Sequence, residues 1–112
     1  MDDNTLFQEV KAECSVTWDN EQTNKRLETI IKDGKAEFKN DFGLEPIPDS
    51  GIAHRLFLAY CKYRYFDQYE DFKVNYKEDI IDLRIGYEIQ EYEKEQEATL
   101  SWRDMYHFGR NS

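Results

Sequence analysis

Residues 27–43 read Leu27-Glu28-Thr29-Ile30-Ile31-Lys32-Asp33-Gly34-Lys35-Ala36-Glu37-Phe38-Lys39-Asn40-Asp41-Phe42-Gly43, and this stretch decides the fold class. Leu27, Ile30, Ile31, then Gly34 or Lys35, then Phe38 and Phe42 recur at spacings of three and four, which lines up one face of a helix. The pattern extends the helix back to about Asn20 and forward to about Asp41. Gly43 ends it, since glycine adopts the left-handed conformation that closes helices. Asp19 followed by Gln22 signals the start, and Trp18 just before that cap can staple the turn. Gly34 allows two readings. It is either a tolerated weakness of about 1 kcal/mol in mid-helix or a point of close approach to another helix.

Working outward, Leu6, Val10 and Cys14 stand four apart with Phe7 beside them, which predicts a short helix over Thr5–Cys14 with Thr5 and Gln8 as its capping box. Ser15-Val16-Thr17-Trp18 interrupts it. On the other side, Leu44-Glu45-Pro46-Ile47-Pro48-Asp49-Ser50-Gly51 contains both prolines of the chain, so it forms the principal loop, with room for a short extended segment near residues 44–48. A third helix follows from about Ser50, with Ile52, Ala53, Leu56, Phe57, Tyr60, Cys61 and Arg64 in helical register. Tyr63, Tyr65, Phe66, Tyr69, Phe72 and Tyr76 are then too many aromatics for one face, so several must meet another helix or another subunit. Asn75 with Glu78 predicts the start of a fourth helix, with Ile80, Leu83 and Tyr87 on one side and Ile81 and Ile85 on another. The expected fold is all-α: about four helices in a small bundle over residues 1–90, and a C-terminal arm over 91–112.

That arm begins with the polar run Gln90–Glu97, a linker or a solvated helical extension. Leu100, Trp102, Met105, Tyr106 and Phe108 then crowd into nine residues. Burying the three rings would remove ~450–750 Å² from water, about 11–19 kcal/mol gross, while ordering twelve residues costs roughly 12–24 kcal/mol. The near-cancellation means that the arm orders only in a prepared groove. A neighbouring molecule is the favoured host, and the parent fold is the alternative.

The whole chain has 112 residues and a formal charge of −9, from 24 acidic and 15 basic side chains. Leu, Ile, Val and Phe number 25, just enough for a charged chain of this length to fold around one core. Such acidity opposes nucleic-acid binding, which draws on Lys and Arg that displace counterions. No apolar run approaches the ~20 residues that span a bilayer, and the first fifteen residues lack a leader pattern, so a soluble, non-exported protein without a membrane partner is expected. Cys14 and Cys61, each on an apolar stripe, are expected to be buried free thiols.

Chemistry-bearing motifs are missing. His54 and His107 have no partner at metal-ligand spacing, no glycine-rich phosphate loop or GxSxG occurs, and a thiol on an apolar face ionises poorly. No catalytic residue, metal or cofactor is therefore expected. Carboxylates such as Glu78, Asp79 and Asp82 read as a solvated helix face. Arg84 interrupts the apolar run Ile80–Ile85, either to pair with Glu88 one turn on or to reach a carboxylate of another subunit. Function is expected to reside in surfaces, with Arg84, Leu100, Trp102, Met105, Tyr106 and Phe108 as the candidate interface.

The order of these features resembles small phage head-tail connector proteins, also called head-completion or adaptor proteins. The likeness runs through Val16-Thr17-Trp18-Asp19-Asn20-Glu21-Gln22-Thr23 into Leu27–Lys35. It continues in Leu56-Phe57-Leu58-Ala59-Tyr60-Cys61-Lys62-Tyr63, then in Tyr69–Tyr76 and Ile80-Ile81-Asp82-Leu83-Arg84. It covers about residues 5–90 and not the arm. Where some members carry Gln-Leu-Arg-Gly, this chain reads Asp82-Leu83-Arg84-Ile85-Gly86, with the first residue changed and Ile85 interposed. The resemblance implies a helical subunit of a ring, of twelve copies, seated on the portal protein at the head–tail interface of the virion after assembly in the host cytoplasm. Such a ring extends the DNA channel without binding DNA specifically and offers a platform to the next neck or tail protein. The alternatives are a small acidic DNA mimic that occupies a basic groove of a nucleic-acid-binding protein, a helical adaptor of a cellular complex, and an unrecognised enzyme.

Overall fold

A computed structural model describes the backbone of residues 2–107 and the side chains of residues 2–96. Helix α2 (Glu21–Phe42) forms where the apolar stripe predicts. Its cap is Asn20 instead of Asp19: the Asn20 side-chain oxygen accepts from the backbone N–H groups of Gln22 and Thr23 at 2.9 and 3.1 Å. Asp19, one residue outside, accepts from Asn24 Nδ2 at 2.7 Å. Trp18 half covers this turn, its Nε1 donating to Thr23 Oγ1 at 3.3 Å. Gly43 closes α2 at φ +65°, and the N–H groups of Gly43 and Leu44 return to the carbonyls of Lys39 and Phe38.

Before it lies α1 (Asp3–Glu13), two residues longer at its start than the apolar spacing suggests. Its cap is Asp2, whose carboxylate accepts from Thr5 N–H at 2.7 Å, so Thr5 sits inside the helix and is not the cap. The proline loop forms bends and no strand, which corrects the extended segment expected at 44–48. It plugs Ile47 into the core instead. The loop is strapped down by His54 on α3 (Gly51–Tyr65): Nδ1 lies 2.9 Å from the Pro48 carbonyl and Nε2 lies 2.7 Å from the Glu9 carboxylate of α1.

Among the described residues there are five helices where about four were expected. The chain turns at Asp67, in the left-handed region at φ +57°, and starts the short α4 (Tyr69–Asn75) before α5 (Lys77–His107). Asn75 therefore ends α4 and does not cap α5, and its amide donates to the Tyr63 hydroxyl at 3.1 Å. Arg26 of α2 secures the turn. Its guanidinium donates to the Tyr65 carbonyl at the end of α3, reaches Asp67 at 3.4 Å and lies 4.9 Å over the Tyr65 ring.

The core sits between α2 and α3. Leu27, Ile30, Ile31, Gly34, Phe38 and Phe42 of α2 are all buried, as the stripe predicts. They face Leu56, Phe57, Ala59, Tyr60 and Cys61, with Leu6 and Val10 of α1, Cys14 just after it and Phe72 of α4 completing the cluster. Ile52 of α3 is half exposed, against expectation, and the register places His54 inward in its stead. Gly34 is a point of close approach. A Cβ there would stand 2.7 Å from Tyr60 Cε1 and 2.9 Å from Phe57 Cε2, both on rings that are fully buried. The two cysteines are buried free thiols, and burial pushes Cys14 up to about 11 and Cys61 upward as well.

Two expectations follow for stability. Phe38→Ala or Leu56→Ala should cost about 2–5 kcal/mol in urea unfolding, through lost contacts and the cavity left behind. Gly34→Ala should also destabilise, by about 1–2 kcal/mol, although the same change in an open helix would stabilise by about 1 kcal/mol. A Gly34→Ala protein more stable than the parent would show that the two helices do not meet as described.

Candidate functional site

Helix α5 is continuous through residue 90, so the polar run Gln90–Glu97 is a helical extension rather than a linker. At 1.5 Å per residue its 31 residues span about 46 Å. This explains a molecule of 72 × 29 × 20 Å with a radius of gyration of 19.5 Å, against about 13 Å for a compact chain of this size.

Along its first three turns Ile80, Leu83 and Tyr87 lean on the body, and Tyr87 packs its ring over Gly43. Beyond Tyr87 every side chain described on α5 is exposed. Ile81, Ile85, Ile89 and Tyr92 occupy the far side at spacings of four, four and three, and they are 41, 47, 51 and 61% exposed. A helix apolar on two opposite faces is suited to packing on both. Here the body covers one face and leaves the other to water. Acidic side chains flank the open stripe, with Asp82 and Glu93 on one side and Glu88 on the other.

At Ile81 this stripe runs into a groove of about 420 Å³ between α2, α4 and α5. Rings form its floor. Phe38, Phe42, Tyr60, Tyr69 and Phe72 interlock largely edge to face, with centroids 5.1–5.7 Å apart for Phe38–Phe42, Phe38–Tyr60, Tyr60–Tyr69 and Tyr60–Phe72. Lys73, Lys77 and Arg84 stand on the rim beside Glu37 and Asp41. Tyr69 donates to the Glu37 carboxylate, and burial together with that contact pushes its phenol up to about 12. The Tyr60 hydroxyl is buried beside the same carboxylate, and burial together with that carboxylate pushes its phenol upward. Arg64 lies over both rings, 5.7 Å from Tyr60 and 5.0 Å from Tyr69. The ring floor makes the groove suited to receive apolar and aromatic groups.

Among the expected interface residues, Arg84 reaches Asp41 of α2 at 3.9 Å rather than Glu88, half exposed on the groove rim. The side chains of Leu100, Trp102, Met105 and Tyr106 lie outside the described residues, as does Phe108 entirely; α5 carries the backbone of the first four. Sequence reading separated Ile81 and Ile85 from the body-facing side of α5 but did not carry the stripe on to Ile89 and Tyr92. The four-residue spacing was present, hidden by the surrounding Glu and Gln. The groove floor could not be foreseen, because it joins residues of three helices. His54 is committed to the loop strap, and among the described residues no group of three or more His, Cys, Asp or Glu side chains is placed to hold a metal ion. No family model, no curated protein and no solved structure matches this chain.

The Tyr69–Glu37 contact sets a pH dependence. Folding holds the phenolic proton more tightly than the unfolded chain does, so the stability it contributes is complete below pH 10 and is lost as pH rises towards 12. Tyr69→Phe should therefore be less stable than the parent by about 1 kcal/mol at pH 8 in urea unfolding, and the gap should close between pH 10 and 12.

Proposed function

We propose that this protein is a head-tail connector, or adaptor, subunit: a helical protomer that joins identical copies around a portal opening and presents no chemistry of its own. The observation that carries the reading is the open apolar stripe of α5, projecting from a body that is already packed. Scattered exposed apolar residues need no explanation, whereas a regular stripe along three turns of a projecting helix is a surface that awaits a cover. The resemblance over residues 5–90 supplies the kind of assembly, and the arm after residue 97 supplies the apolar material for contacts between copies.

The charge suits a conduit. Twelve copies at −9 place about a hundred negative charges around the channel, and a wall of like charge repels the duplex instead of gripping it. The portal protein and the next neck or tail protein are the partners beyond the ring itself. Contacts around a ring are head-to-tail, so one surface of each subunit must fit a different surface of its neighbour.

Electron microscopy of the protein mixed with portal particles tests this directly, with closed rings on the portal as the expected result. A protein that stays small and competes one-to-one with duplex DNA for a basic partner would overturn it. The double substitution Ile85→Asp, Ile89→Asp should abolish ring formation while shifting the melting temperature by less than about 3 °C, because both side chains are already half exposed in the lone subunit. Removing residues 99–112 should likewise impair assembly far more than melting.

A further inference from the structure

We infer that the surface covering the α5 stripe is the aromatic segment Leu100–Phe108 of an adjacent copy, which lies along Ile89, Ile85 and Ile81 and seats a ring in the groove floored by Phe38, Tyr60, Tyr69 and Phe72. This rests on the ring reading and names the contact that closes the ring.

The first argument is reach. The last residue of α5 that leans on the body is Tyr87, and His107 lies twenty residues further along the same helix. That places the end of the helix about 30 Å from Tyr87. A helix that carries the backbone of residues 100–107 that far from its own core offers their apolar side chains to another molecule.

Dimensions and charge agree. Ile81 to Ile89 spans about 12 Å of helix and Leu100 to His107 about 10 Å, so one segment covers the stripe. Residues 77–96 carry seven carboxylates against Lys77, Arg84 and Lys94, whereas Leu100–Phe108 carries Arg103 against Asp104 and sums to no net charge. The acidic stripe therefore meets less repulsion from this cover than from a second stripe. The groove adjoins the stripe at Ile81, which lines both.

Complementation between full-length chains tests the inference. One variant loses the arm's rings through Trp102→Ala, Tyr106→Ala and Phe108→Ala; the other blocks the groove from its exposed rim through Lys77→Trp. Each alone should associate at least tenfold more weakly than the parent in sedimentation velocity. Mixed, they should form a one-to-one dimer that grows no further, because only one arm and one groove remain competent. Circular dichroism and melting check that both variants fold. Should Lys77→Trp prove unfolded, a disulfide between Lys77→Cys in one full-length chain and Tyr106→Cys in another gives an independent reading, with Glu28→Cys on the α1–α2 surface as the control. Cross-linking confined to the Lys77→Cys position supports the inference. Rings that form normally with Lys77→Trp, or cross-links that favour Glu28→Cys, overturn the arm-in-groove contact and leave the ring reading standing. Self-association by the arm-less variant equal to the parent's would show a stripe-to-stripe contact and likewise overturn it. A parent protein that forms no assembly with itself or with portal particles removes both.

Discussion

The absence of a side chain at Gly34 governs how the rest of the molecule packs. It lets α2 sink against α3 until the Tyr60 and Phe57 rings occupy the space a methyl group would need. Phe38, one turn on, then meets Phe57 at 5.2 Å and Tyr60 at 5.7 Å, both edge to face. The aromatic network propagates from there through Tyr60 to Tyr69 and Phe72, and through Phe72 to Tyr63 and Tyr76. A chain with few aliphatic residues thereby builds its core from rings, whose larger buried area per residue offsets their small number. The groove beside α5 is the outer edge of this same network, so core and candidate site share side chains.

How much of this was legible depended on whether one helix or several supplied the information. The stripe on α2 was read in full, from Leu27 to Phe42, because a single period of 3.6 residues contains it. The choice left open at Gly34 was settled by contacts with α3, which no periodicity of α2 encodes. The caps at Asp2 and Asn20 were each missed by one to three residues, since Asp2, Thr5, Asp19 and Asn20 are all competent cap residues and backbone direction decides among them. Helix α4 was missed for another reason. Aromatics at Tyr65, Phe66, Tyr69, Phe72 and Tyr76 face two neighbours, so their spacing fits no one helix, and the break rests on Asp67 adopting a left-handed conformation that Asp tolerates.

The molecule divides stability from exposure along its length. Residues that hold the fold lie within α1–α4 and the first three turns of α5, where Tyr87 closes over Gly43. Beyond that point α5 has no tertiary packing among its described side chains, and single ion pairs such as Lys94–Glu91 at 3.4 Å add only tenths of a kcal/mol. Such a helix opens locally at far less cost than the body unfolds. Changes on its outer face therefore affect encounters with other molecules before they affect folding.

The flanks of the stripe determine which encounters are productive. Two copies meeting stripe to stripe would bring Asp82 and Glu93 of one helix against carboxylates of the other, with Glu88 and Glu91 adding to the repulsion. Like charges across a closed interface cost several kcal/mol, enough to cancel the gain from burying two or three Ile side chains. An apolar stripe between acidic flanks thus attracts apolar partners in general while rejecting its own image. That bias disfavours the symmetric pair, which would cap growth at two, and favours pairing with a different surface, as the ring proposed for this chain requires.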